Sequence, residues 1–203
     1  MRAIRVVIFF CLFLIFTHSS VKEKSKIINN LNNIDNIQFK FTQTTNENVE
    51  KGKCILVFPG KLKCDYKDKN KKELIVNKKM MAITQKRYGK TLFYPLSKST
   101  FINILNKNEL IKIINESGTI RDDYINIVFI DKNSIKTLIK FDKKEFLLAG
   151  WTSFDQYNNQ IAFEIEITSL NQMINNNVFT LPNKGYATKS ICSFLNILNP
   201  RDK

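Results

Sequence analysis

The sequence predicts an α+β fold that is mainly β: a curved antiparallel sheet closed by a few short helices. Three observations lead there. Apolar and polar residues alternate in segment after segment, the period of a strand with one buried face. Short turns rich in Asn, Lys and Gly separate those segments, which favours pairing of consecutive strands. Helical spacing of apolar residues appears only near residues 22–33 and 98–116.

The chain opens with Arg2 and Arg5 ahead of an unbroken apolar run from Val6 to Phe16, followed by Thr17-His18-Ser19-Ser20. This is the layout of a secretory signal peptide. A membrane-spanning helix needs about twenty apolar residues and this run has roughly half that, so a cleaved signal over residues 1–20 is expected rather than an anchor. A single domain is expected over 21–184, with a tail of undetermined structure at 185–203. Removal of the signal takes Arg2 and Arg5 and lowers the net charge from +14 to +12. For an exported protein such an excess points to anionic membrane surfaces rather than nucleic acid, although a solvated lysine-rich surface would give the same composition.

Several chemistries are disfavoured. His18 is the chain's only histidine and lies in the expected signal, so the mature protein has no imidazole for Ser-His-Asp or Cys-His catalysis. With Cys11 in the signal, Cys54, Cys64 and Cys192 remain, too scattered for a zinc cluster. No glycine-rich phosphate loop, dinucleotide fingerprint or nucleophile elbow is present. Asp122-Asp123 and Glu164 with Glu166 are nominal acid-base pairs, better read as turn and strand-surface carboxylates. No enzyme, cofactor or metal is expected.

Taken in order, Ile27, Ile28, Leu31 and Ile34 predict a helix over 22–33. Ile37, Phe39 and Phe41 then alternate with Gln38, Lys40 and Thr42 as a strand. A hairpin follows, Lys53 to Phe58 and Leu62 to Tyr66, around Pro59-Gly60-Lys61. A three-residue loop would pair Phe58 with Leu62 and Leu56 with Cys64, turning both apolar sets inward. In that register Cys54 and Cys64 are offset diagonally, and no disulfide between them is expected. Strands at 73–77, 80–85 and 91–94 continue as a meander. Phe101, Ile102 and Leu105, then Leu110, Ile113 and Ile114, predict two short helices interrupted near Asn106 to Asn108. Strands are expected again at 124–131, 135–141, 145–153 and 160–168, the last with Ile161, Phe163, Ile165 and Ile167 on one face. The apolar faces sum to one sheet interior; composition leaves a packed core and a cavity both open.

The order of these motifs resembles a known family, the periplasmic outer-membrane lipoprotein carrier proteins, LolA. The resemblance runs from about Ile27 to Pro182. It rests on the helix leading into Phe39-Lys40-Phe41-Thr42-Gln43, which looks like the family's Phe-x-Phe-x-Gln opening strand. It continues through Gly52, the hairpin Phe58 to Tyr66, Leu74-Ile75-Val76, Gly150-Trp151 leading to Phe154-Asp155 and the Asn158-Asn159 turn, and Phe179-Thr180-Leu181-Pro182.

The resemblance implies an incomplete antiparallel β-barrel with a helical lid over an apolar cavity that receives acyl chains. It implies lipid-binding roles for Phe39, Phe41, Leu56, Phe58, Leu62, Tyr66, Phe101 and Ile102. It further implies a monomer in the periplasm whose partners are acylated lipoproteins, an inner-membrane lipoprotein-releasing transporter and an outer-membrane lipoprotein acceptor, with transient membrane contact and no nucleic acid. An exported carrier of another lipid or amphiphile is the alternative. Family members often carry arginine before the hairpin proline. Here Phe58 stands there, so a closed lid would be held by apolar contact.

Overall fold

The structure, a computed structural model, describes residues 21–96, 101–131, 134–154 and 159–183. The expected signal segment, the tail from 185 and Cys192 lie outside the described residues.

Residues 21–32 are helical (α1), one residue earlier at each end than expected, and bury Ile27 and Leu31. Six strands follow as a meander: β1 (Asn36–Thr45), β2 (Asn48–Val57), β3 (Lys61–Tyr66), β4 (Lys72–Asn77), β5 (Met80–Gln85) and β6 (Lys90–Pro95). A second meander comprises β7 (Gly118–Arg121), β8 (Ile125–Ile130), β9 (Lys136–Phe141), β10 (Leu148–Phe154) and β11 (Gln160–Leu170). β1 pairs antiparallel with β11, so the two join in one 11-stranded sheet of order β6-β5-β4-β3-β2-β1-β11-β10-β9-β8-β7. The edges β6 and β7 do not pair, which leaves the barrel open. The chain between those edges carries α2 (Phe101–Leu105) and α3 (Lys107–Glu116).

Local chemistry explains the break between the two helices. The Asn106 side chain accepts from the amides of Asn108 and Glu109 at 3.1 and 3.4 Å, an N-cap that satisfies two donors of α3's first turn. Ile104, Leu105, Leu110 and Ile114 are buried and join one apolar cluster with Ile27 and Leu31 of α1 and with the sheet's inner face. That face is built by alternation: Ile37, Phe39 and Phe41 on β1, Leu56 on β2, Leu62 on β3, Val76 on β4, Ile139 and Phe141 on β9.

Two glycines mark close approaches. A Cβ on Gly52 would lie 2.3 Å from the Asp65 carbonyl oxygen and 2.6 Å from the Phe41 ring, so the ring occupies the space a side chain would need. A Cβ on Gly150 (φ +149°) would lie 2.2 Å from the Phe163 carbonyl oxygen. The β9–β10 register shifts between Leu148 and Gly150, and this bulge lets Leu148 and Trp151 both face inward despite two residues between them.

Several expectations are corrected. In the β2–β3 hairpin Leu56 pairs with Leu62, and Val57 with Lys61, leaving Phe58-Pro59-Gly60 as the loop. The loop length is as expected but its position is one residue earlier, which moves the register by two and preserves which residues face inward. Cys54 therefore sits directly opposite Cys64, with Cα atoms 4.1 Å apart, and the two form a disulfide on the inner face, contrary to the expectation of none. β7 was not expected: three of its four residues are exposed and only Thr119 is half-buried, so it carries no apolar alternation. β10 begins at Leu148 rather than 145, because Asp142 accepts the amides of Lys144 and Glu145 and Phe146 adopts φ 56°, turning the chain before the strand starts.

After β11 the chain crosses to the outer face. Asn171 is bound at both ends, its side-chain oxygen accepting from the Asp35 amide (2.7 Å) and its NH₂ donating to the Asn33 carbonyl (2.8 Å). A 3₁₀ turn at Asn176–Phe179 lies against β3 and β4. There the Asn77 side chain donates to the Phe179 carbonyl (3.1 Å), Lys61 donates to Asn176 (2.9 Å), and the Phe179 ring is buried.

Candidate functional site

The inner face carries a continuous aromatic row that no stretch of sequence displays. Tyr66 of β3 meets Phe41 of β1 edge-on at 4.9 Å between ring centres, across the gap left by Gly52 on β2. Phe41 stacks on Phe163 of β11 at 4.7 Å, and Phe163 stacks on Trp151 of β10 at 4.3 Å. Phe39 joins edge-on to Phe163 at 6.5 Å. The row spans five strands and both meanders, and each ring exists there because its strand alternates in register with its neighbour.

Toward the β1–β2 turn the inner face becomes polar. The Tyr66 hydroxyl donates to Gln43 at 3.0 Å, and the Lys72 ammonium lies 2.5 Å from a Glu50 carboxylate oxygen and 3.8 Å from the centre of the Tyr66 ring. Burial raises the Tyr66 phenol well above its ordinary value, and the charges of Glu50 and Asp68 add to the shift. It therefore stays a hydrogen-bond donor at any ordinary pH. A buried lysine paired with a half-buried glutamate against an aromatic face satisfies its charge and gives the apolar interior a polar rim.

At the opposite end of the sheet the helices meet the β2–β3 turn. The Gly60 amide donates to the Leu105 carbonyl at 2.9 Å, and the Lys78 amide donates to the Gly60 carbonyl at 2.8 Å. The Lys107 ammonium lies 5.6 Å from the Phe58 ring centre and 3.9 Å from Asp35. The helices are thus held by a main-chain hydrogen bond and a cation over a ring, in addition to the apolar contact that the loss of arginine before Pro59 led us to expect.

Of the residues singled out from sequence, Phe39, Phe41, Leu56 and Leu62 are buried on the inner face. Phe58, Tyr66 and Ile102 are half-buried and pack against the same cluster. Phe101 lies in α2, and its side chain is outside the described residues. Phe163 and Trp151, which complete the aromatic row, were not among them; the one-sided alternation of β11 was the available signal for Phe163. The nominal acid-base pairs lie at the surface, away from this face. Glu164 and Glu166 lie on the exposed outer face of β11, Glu166 paired with Lys40 at 2.9 Å, and Asp122 caps a turn by accepting from the Tyr124 amide.

An open antiparallel barrel whose apolar inner face is covered by helices defines the class to which the chain belongs. The family model for outer membrane lipoprotein carrier protein LolA matches residues 32–182, and the chain belongs to this family. Comparison with curated proteins gives no significant match. Similar folds occur in solved structures of low identity. A LolA superfamily protein from Nitrosomonas europaea is 6% identical over 77% of this chain and 97% of its own, with a TM-score of 0.41. A putative outer membrane lipoprotein-sorting protein domain from Vibrio parahaemolyticus is 8% identical over 71% and 88% (TM-score 0.39). The lipoprotein LppX of Mycobacterium tuberculosis is 10% identical over 77% and 97% (TM-score 0.40).

Proposed function

We propose that this protein carries acylated lipoproteins through the periplasm, holding their acyl chains between the inner face of the sheet and helices α1 to α3. The observation that carries the reading is the family match over residues 32–182, which spans every strand of the sheet. The proposed contact residues are Phe39, Phe41, Leu56, Leu62 and Tyr66 on the sheet, Phe58 at the turn, and Phe101 and Ile102 on α2, joined by Phe163 and Trp151. An inner-membrane transporter loads the carrier and an outer-membrane acceptor unloads it.

The energetics favour exchange over release. Burying one methylene is worth about 0.8 kcal/mol, so a sixteen-carbon chain costs about 12 kcal/mol to expose. A carrier offers apolar surface comparable to the membrane interior, which makes transfer nearly neutral. Room for the chain is made when the helices separate from the sheet and exchange their own apolar contacts for contacts with the lipid. The role is one of binding, with no covalent step.

The test is native mass spectrometry of the mature protein isolated from the periplasm without detergent, paired with a transfer assay from inner-membrane vesicles. A co-purifying lipoprotein, and loss of transfer on combining Leu62→Glu with Phe101→Glu in a folded variant, support the reading. Free fatty acid as the sole bound species would assign the site to another amphiphile. Undiminished transfer by the double variant would remove the acyl site from this face.

A further inference from the structure

A second feature lies at the polar-rim end of the sheet, outside the inner face. The loop between β3 and β4 and the 3₁₀ turn Lys86–Tyr88 between β5 and β6 border an open surface cleft of about 520 Å³ lined by Lys69, Lys71, Lys86 and Arg87. The two loops brace each other: the Arg87 amide donates to the Asn70 carbonyl at 3.2 Å and the Lys86 amide to the Lys71 carbonyl at 3.4 Å. Asp68 is engaged within its own loop, accepting from the Lys72 amide at 2.9 Å. Lys86 is committed to Glu73 (2.7 Å) and Asp65 (3.9 Å). Lys69, Lys71 and Arg87 pair with no carboxylate among the described residues. Three cations without a carboxylate partner around one concavity repel one another, and an anion placed among them relieves that repulsion.

A second observation at the same rim narrows the anion. Tyr88 is 61% exposed, with the Arg87 guanidinium 5.7 Å from its ring centre. An exposed tyrosine flanked by cations suits the headgroup level of a bilayer, where its ring meets the acyl boundary and its hydroxyl stays wet. We propose that the cleft formed by Lys69, Lys71, Lys86 and Arg87 binds the phosphates of anionic phospholipids and fixes how the protein meets a membrane. Lys72, the residue after Lys71, reaches onto the inner face to Glu50 and Tyr66, so docking through the cleft brings the polar rim of the apolar interior against the headgroups. The inference deepens the carrier reading by naming the surface met at loading or delivery.

The experiment is flotation of the mature protein with phosphatidylcholine vesicles, with and without phosphatidylglycerol, at low and high salt. No lipoprotein is present, so the outcome is independent of cargo binding. The test variant combines Lys69→Gln, Lys71→Asn and Arg87→Gln, with Asn chosen because Lys71 has φ 51°. The control removes the same charge elsewhere through Lys78→Asn, Lys79→Gln and Lys112→Gln; Lys78 and Lys79 lie at the far end of β4 and β5. Expected are salt-sensitive binding that requires phosphatidylglycerol, an affinity loss of about tenfold or more in the cleft variant, and a far smaller loss in the control. Should the triple variant fold poorly by circular dichroism, Arg87→Gln and Lys69→Gln are read singly, each lowering affinity. Equal losses in both triples, or no binding by folded wild-type protein, overturn the proposal; the second outcome leaves the cleft to an acidic protein partner.

Discussion

The Gly60 amide donates to the Leu105 carbonyl at 2.9 Å, tying the β2–β3 turn to the last residue of α2. The bond uses only main-chain atoms, so no side chain announces it. It sits one residue past Pro59, beside the position where family members often place arginine and this chain has Phe58. The covering helices are thus tethered to the sheet at the end opposite the polar rim, through a bond that can break without leaving a charge unpaired.

Gly60→Ala tests that tether. Gly60 has φ +75°, and an added Cβ would meet only the Lys78 backbone at 3.5 Å, so the penalty is conformational, about 1 kcal/mol. Hydrogen-exchange mass spectrometry is expected to show faster exchange across 104–114 with little change in β8 and β9. Unchanged exchange in the helices alongside a lowered melting temperature would show that the bond does not hold them.

Gly52→Ala is expected to destabilise by about 2 kcal/mol or more, since an alanine Cβ collides with both the Phe41 ring and the Asp65 carbonyl. Denaturant unfolding measures it. Adding Phe41→Leu removes only one of the two collisions, so the pair is expected to remain well below wild type.

The Cys54–Cys64 disulfide closes a short hairpin, with a sequence separation of 10, and is buried on the inner face. Chain-entropy arguments give it about 3 kcal/mol, the expected loss on replacing both cysteines by alanine. Alkylation of the unreduced protein followed by peptide mapping is expected to leave Cys54 and Cys64 unlabelled. Labelling at Cys54 or Cys64 would contradict the pairing.

The outer face supplies a pH dependence. Burial pushes the Glu73 carboxyl up, but the hydrogen bond and charge of Lys86, with those of Lys63, outweigh it and hold it below its ordinary value. A carboxylate lowered in the folded state stabilises the fold fully above the unfolded value of about 4.3, and loses that contribution as pH falls through the folded value. Wild type is therefore expected to exceed Glu73→Gln in melting temperature by a constant margin at neutral pH, and the margin is expected to shrink below about pH 4. A margin that grows on acidification would reverse the assigned sign.

Strand alternation made most of the fold legible. Phe39 and Phe41, or Ile161 to Ile167, declare their buried face within a few residues, because a half-buried strand repeats every two positions whatever lies across from it. The break between α2 and α3 near Asn106 was equally local. β7 was not legible, because an edge strand with exposed residues on both sides carries no pattern.

The candidate site divides along the same line. Sequence by itself determined that Phe39, Phe41, Leu56 and Leu62 face one interior, and that His18 is the chain's single histidine. Only the tertiary structure decided who stands opposite whom. A shift of two in one hairpin preserves every inward-facing residue, so the apolar pattern is blind to it, yet it turns Cys54 and Cys64 from diagonal neighbours into a bonded pair. The aromatic row, the Gly60–Leu105 tether and the basic cleft likewise join segments far apart in the chain. Their physical basis is pairing between strands and loops, which periodicity along one strand does not encode.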